Sequence, residues 1–153
     1  MINKQMKILA IASLGGHWKQ LLRIIPPTMS NIQTTYVSTH KKCATMVSGH
    51  TYYTISDFSR WNFYMLIPVF YQAIQIIRKE TPDVIISTGA APGLIFLFMA
   101  KLFGKKTIWI DSVANVFQLS LSGRIASKFA SQTYTQWKEL SNTKISYAGN
   151  ILD

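Results

Sequence analysis

Residues 6–20 read MKILAIASLGGHWKQ: an apolar run, then Ser13-Leu14-Gly15-Gly16-His17, then a helical pattern. This predicts a first β-strand, a glycine turn with a histidine at its exit, and the start of a first helix. In an open α/β sheet such a turn lies at the carboxyl end of its strand, where these folds bind their ligands. Gly15 and Gly16 let the backbone approach a ligand closely, and the helix N-terminus beyond them offers unpaired N–H groups and partial positive charge to an anion. His17 is placed at the rim. The turn lacks both the full G-x-G-x-x-G fingerprint and the P-loop lysine, so by itself it reads equally as an ordinary strand-to-helix connection.

The alternation continues outward from this unit. Trp18, Leu21, Leu22 and Ile25 fall at helical spacing until Pro26-Pro27 ends the helix. Residues 32–38 (IQTTYVS) and 51–55 (TYYTI) predict two further strands, with a short helix around 40–48 and a loop over 56–60. His40 and His50 fall in surface or loop positions. Residues 84–87 (VIIS) form a short buried strand of the kind found in parallel sheets, running into a small-residue turn over 87–93 and a very apolar helix over 94–103 closed by Gly104. Residues 107–110 (TIWI), 132–136 (QTYTQ) and 145–147 complete the strands, and 120–130 (SLSGRIASKFA) reads as a short basic helix. The whole predicts one α/β domain over 1–153, a doubly wound parallel Rossmann-like sheet. Three turns, 13–17, 87–93 and 111–123, are thereby brought to one edge of it. Asp111 in the third turn either caps that turn or faces a ligand.

Residues 62–79 (NFYMLIPVFYQAIQIIRK) depart from the usual amphipathic stripe, because their apolar positions nearly encircle a helix. Pro68 predicts a helix that starts close to it, preceded by a looser approach. Phe63, Leu66, Phe70, Ile74 and Ile77 are assigned to the sheet side. Tyr64, Met65, Val69, Tyr71 and Ile76 are left either for a second covering layer or for a membrane-facing surface flanked by Arg60, Arg78 and Lys79.

Composition narrows the function classes. Sixteen Lys and Arg against six Asp and Glu give a net charge of +10, while 48% of the residues are hydrophobic. A chain both basic and apolar suits an anionic membrane surface. Its longest basic runs are pairs such as Lys41-Lys42 and Lys105-Lys106, which argues against nucleic acid as a partner. The single Cys43 and the lack of a Cys/His cluster call for no disulfide, no metal and the reducing cytoplasm. No apolar stretch reaches the roughly 18–20 residues of a spanning helix, and the start of the chain does not read as a signal peptide.

Four segments in order resemble the acceptor-side subunits of bipartite GT-B glycosyltransferases, the PssD type of bacterial polysaccharide clusters. These are related to the MurG N-terminal half and to the eukaryotic subunit of lipid-linked oligosaccharide synthesis. The family's A-S-x-G-G-H-x-x-Q loop is matched from Ala12 to Gln20, and its S-T-G-A-A-P turn by Ser87-Thr88-Gly89-Ala90-Ala91-Pro92. Its S-L-x-G segment is matched by Ser120 to Gly123, and its Q-W-x-E-L stretch by Gln136 to Leu140. Asp111-Ser112 stands where the family usually has Glu-Ser.

The resemblance implies the acceptor half of a UDP-sugar transferase in capsular or exopolysaccharide synthesis. It would work at the cytoplasmic face of the membrane as a heterodimer, with a PssE-type donor-binding subunit completing the cleft and no cofactor required. The chain would end about where the linker to a second domain begins. A lipid-linked saccharide acceptor would meet Ser13, Gly15, Gly16, Ser87, Thr88, Gly89, Ala90, Asp111, Ser112 and Asn115. An imidazole titrates close to neutrality, which suits His17 to serve as the base for the acceptor hydroxyl, as an acceptor or phosphate ligand, or as a structural turn residue. Two other readings stay open: a non-catalytic membrane anchor and enhancer of the partner, and a stand-alone nucleotide-binding α/β protein.

Overall fold

Along the first strand, β1 (Met6–Ala12), successive side chains go to opposite faces, and both faces are buried. Ile8, Ala10 and Ala12 pack on one side with Trp18, Leu21 and Ile25. Leu9 and Ile11 pack on the other with Val69, Ala73, Phe96 and Leu97. A strand apolar and buried at every position from Ile8 to Ala12 is thus the centre of a three-layer domain. The computed structural model describes residues 4–59 and 61–153; Arg60, one of the three cations expected beside the apolar helix, lies outside the described residues.

The other strands are β2 (Ile32–Ser38), β3 (Thr51–Thr54), β4 (Val84–Gly89), β5 (Lys106–Ile110), β6 (Gln132–Thr135) and β7 (Ser146–Tyr147). They join β1 in one parallel sheet of order β3-β2-β1-β4-β5-β6-β7. The chain therefore winds outward from β1 to β3, returns beside β1 with β4, and winds outward the other way. This is the doubly wound Rossmann-like arrangement, and its switch point lies between β1 and β4. Helix α1 (Gly16–Ile24) covers one face together with a 3₁₀ segment, Lys41–Val47. Helices α2 (Leu66–Glu80), α3 (Ala91–Leu102) and α4 (Leu121–Ala126) supply the buried side chains of the other. Among the described residues no helix is long and apolar enough to cross a membrane.

Several boundaries differ from the sequence expectation for identifiable reasons. Strand β4 runs on to Gly89 and α3 begins at Ala91, so the expected 87–93 turn contracts to little more than Ala90. Pro92 sits in the first turn of α3, where its missing N–H costs nothing. Helix α2 starts at Leu66, two residues before Pro68, after a 3₁₀ turn Phe63–Met65. Its buried stripe is Val69, Ala73, Ile76 and Ile77, with Phe70 and Ile74 only partly covered and Phe63 exposed. The expected stripe was therefore rotated: Phe63 precedes the helix, and the small Ala73 lets α2 lie close. The short helix expected around 40–48 is 3₁₀, and His40 caps it by accepting the Lys42 amide N–H at 3.1 Å. Helix α4 stops at Ala126 instead of running to 130.

Candidate functional site

At the switch point the ends of β1 and β4 are tied together through His17, in the first turn of α1. Its Nδ1 lies 2.9 Å from the Thr88 carbonyl oxygen, and the Thr88 hydroxyl donates to the His17 carbonyl at 2.7 Å. Because a carbonyl only accepts, Nδ1 carries the hydrogen when the ring is neutral, and the Nε2 lone pair is left available. The Ser13 amide donates to the Gly89 carbonyl at 3.0 Å, closing the corner. The sequence needs glycine at 89 twice over: its φ is +119°, and a Cβ there would lie 2.6 Å from His17 Nδ1.

The expected contact residues divide by exposure. Gly15 and Gly16 are exposed, with open space where a Cβ would point, and His17, Ala90, Ser112 and Asn115 are half-buried. Gly15 carries no capping side chain, so the first-turn amides of α1 stay open toward the corner. Ser13 is buried beneath the corner, and Ser87 and Thr88 are fully buried. The Ser87 hydroxyl accepts the Gly89 amide N–H at 3.1 Å. Ser87 and Thr88 hold the corner in shape, and their side chains present nothing to solvent.

Asp111, at the end of β5, is 1% exposed. Its Oδ1 accepts from the Trp109 indole at 3.0 Å and the Ser120 hydroxyl at 2.6 Å, while its Oδ2 accepts from the Asn115 amide at 3.0 Å and the Ser120 N–H at 2.9 Å. With four donors this carboxylate is satisfied in place, so the geometry gives it the holding role and not the ligand-facing one. Gly123 is required by the same cluster, since a Cβ there would lie 2.5 Å from Asp111 Oδ1. Ser112 points its hydroxyl at the Ala114 amide, 3.2 Å away, which shapes the turn beside the corner.

Two residues with no role assigned from sequence prove central. The Gln20 and Gln136 side-chain amides both donate to the Asp111 backbone carbonyl, at 3.1 and 3.0 Å, and both side chains are buried. Each lies in a motif quoted above, but nothing in either motif indicates that they converge. Among the described residues, no group of three or more His, Cys, Asp or Glu side chains is placed to hold a metal ion.

A different surface lies at the start of α2. Trp61, Phe63 and Ile67 are 84, 73 and 75% exposed, with Tyr64 and Tyr71 beside them in sequence. Phe117, in the loop before α4, is 93% exposed. Among the described residues the one ion pair is Lys4 Nζ to Asp83 Oδ1 at 3.7 Å, and the chain as a whole carries a net charge of +10.

Residues 58–151 match the family described as "Oligosaccharide biosynthesis protein Alg14 like". Among named proteins, the chain is 27% identical over 166 residues to the UDP-N-acetylglucosamine transferase subunit ALG14 of Candida albicans, covering 90% of this chain and 74% of that protein. A second match, 31% identical over 74 residues, is to the subunit of the same name from Yarrowia lipolytica, covering 44% of this chain and 34% of that one. Among solved structures, MurG of Acinetobacter baumannii superposes with a TM-score of 0.75 at 12% identity, over 94% of this chain and 45% of that one. A UDP-N-acetylglucosamine 2-epimerase from Rickettsia bellii gives the same score and identity over 97% of this chain and 46% of its own. The chain spans less than half of each of these two structures. A transferase and an epimerase fit equally well, so this likeness defines the GT-B type of fold and not the reaction.

Proposed function

The chain belongs to the Alg14-like family of oligosaccharide biosynthesis proteins, and from that premise we propose that it is the acceptor-side, membrane-bound subunit of a UDP-sugar glycosyltransferase. Its setting is the assembly of a lipid-linked saccharide for a bacterial capsule or exopolysaccharide, at the cytoplasmic face of the membrane. A separate PssE-type subunit supplies the UDP-sugar across the cleft.

The observation that carries this reading is the His17 corner. It stands at the switch point of the sheet, where an open Gly15-Gly16 turn and the uncapped start of α1 suit the pyrophosphate of a lipid-linked acceptor. Transfer with inversion needs a base for the acceptor hydroxyl. His17 Nε2 accepts that proton, while Nδ1–H stays on the Thr88 carbonyl, which fixes the ring. The exposed aromatic start of α2, on a strongly basic protein, suits the leaflet that carries the acceptor.

The test mixes the purified chain, its partner, UDP-sugar and lipid-linked acceptor. In the pair, His17→Ala lowers turnover by roughly 10²–10⁴-fold if the imidazole moves the proton. A second reading has its own observation: the reciprocal His17–Thr88 bonds also make a structural latch. Under that anchor-and-enhancer reading, His17→Ala loosens the corner and lowers the melting temperature, while turnover by the folded pair stays unchanged. Full transfer by this chain without a partner rejects the bipartite arrangement altogether.

A further inference from the structure

The two glutamines that meet on Asp111 also reach two other parts of the chain. Gln20, on α1, accepts the Val113 amide N–H through Oε1 at 3.1 Å. Gln136, just past β6, accepts the Ile151 amide N–H through its own Oε1 at 3.1 Å, and its backbone carbonyl accepts from the Asn150 side chain at 2.9 Å. Arg23, one turn along α1 from Gln20, donates to the Ile151 carbonyl at 3.2 Å. The bonds close a ring: α1, the 111–115 loop, the end of β6, the 149–153 segment, and α1 again.

Packing does little to hold the 149–153 segment in that ring. Ile151 lines two open cavities, one of about 350 Å³ that it shares with Tyr134 and Gln136, and one of about 520 Å³ that extends to Gly16 and Ser112. Hydrogen bonds to Gln136 and Arg23 therefore fix its seat. A Gln amide both donates and accepts, so one side chain fixes two backbone groups in a single geometry, and shifting either group weakens the other bond.

We propose that Gln20 and Gln136 are positioning residues that couple the seat of the 149–153 segment to the placement of the 111–115 loop beside the His17 corner. Whatever engages or lifts that segment thereby moves Ser112 and Asn115, although it lies away from them in the sequence. The coupling itself is independent of the reaction; only its consequence for turnover rests on the transferase reading.

Amide hydrogen exchange on the whole chain tests the coupling directly. Asn150→Ala touches neither Gln20 nor Val113, yet the Val113 amide should exchange roughly tenfold faster, the size expected when a buried hydrogen bond is weakened. Conversely, Gln20→Met touches neither Asn150 nor Ile151, yet the Ile151 amide should exchange faster. The Ile55 amide, bonded to Ser38 at the other side of the sheet, serves as the control and stays unchanged in both. If each substitution speeds only the amides it touches, the coupling is overturned. Should Gln20→Met fail to fold, Asn150→Ala carries the test alone. In the reconstituted pair, Asn150→Ala should raise the KM for the acceptor several-fold and leave the KM for UDP-sugar unmoved. If exchange responds while transfer is absent even in the unsubstituted pair, the transferase reading fails and the coupling stands.

Discussion

The two faces of the sheet are built from similar side chains and treat them in opposite ways. On the α1 face, Trp18 is buried and in edge contact with Tyr36 and Tyr52 at 6.0 and 6.1 Å, and Tyr36 meets His50 at 5.4 Å. Polar tips there find partners inside the chain: Tyr36 OH donates to Ile25 O at 2.9 Å, Tyr52 OH to His40 O at 2.7 Å, and the Trp18 indole to Met46 Sδ at 3.3 Å. On the side of α2, α3 and α4, an equally complete core lies beneath large apolar residues that remain outside, including Phe63, Ile67 and Leu121. The first face is finished by the chain itself, whereas the second carries an apolar surface larger than its own core needs. Aromatic content and internal partners do not separate the two, since Trp109 on the second side donates to Asp111 and Tyr53 to Glu80; the large apolar side chains left outside do.

The comparison can be broken most sharply on the finished face. Trp18→Ala should cost about 3–5 kcal/mol of stability, the range for truncating a fully buried aromatic, and leave vesicle binding untouched; chemical denaturation and co-sedimentation read the two effects separately. Next in size, Phe63→Glu with Ile67→Glu should lower binding to anionic vesicles roughly a hundredfold, since each side chain forgoes a burial of order 1.5–3 kcal/mol, while the melting temperature stays put. Unchanged binding would remove the second face from any docking role.

Smaller effects sharpen the same contrast. Burial pushes the Tyr36 and Tyr52 hydroxyls up to about 12 from an ordinary 10. Their contribution is complete below pH 10 and lost as pH rises toward 12, so alkaline unfolding should set in across that window. Tyr36→Phe should cost about 1 kcal/mol near neutrality for the lost bond to Ile25 and should flatten the alkaline limb. The smallest change is expected at Asp83, at the opposite edge from the corner. The Lys7 backbone N–H, with Lys4 and Lys105 nearby, holds its carboxyl below the usual range. That support is present above the unfolded carboxylate value and fades as pH falls through the lowered one. Asp83→Asn should therefore be slightly destabilising at pH 7 and indistinguishable from the parent in strong acid, as followed by thermal melts.

What was legible in the sequence followed from local chemistry. Runs such as 84–87 and 107–110, punctuated by Gly and Pro, are apolar without alternation, which is how strands covered on both faces appear, and the alternation of strand and helix did the rest. The facing of α2 was not legible, because apolar residues on every side give no phase. Only the packed structure distinguishes Val69 and Ala73, which meet the core, from Phe63 and Ile67, which do not. In the candidate site, Gly15, Gly16 and His17 stand at the switch-point edge because strand ends and glycine turns are written locally. Of the partners of Asp111, Trp109 is a near neighbour along the chain, but Asn115 and Ser120 were hidden, since they reach it only after the loop folds back. The convergence of Gln20 and Gln136 on one carbonyl depends on which strands become neighbours, information that no short window contains.

The His17–Thr88 clasp has a consequence for the order in which the molecule is made. β1, β2 and β3 all precede Glu80 in the chain, and they can pair before β4 exists; β4 must then find β1 across a long stretch of intervening polypeptide. The clasp straddles that seam. During synthesis, the corner is therefore absent from every intermediate that has not closed it. Protection of the His17 and Thr88 neighbourhood thus serves as a clock hand for the closing of the β1–β4 seam, read from inside the site itself, and it precedes the bond by which Arg23 reaches Ile151 near the far end of the fold.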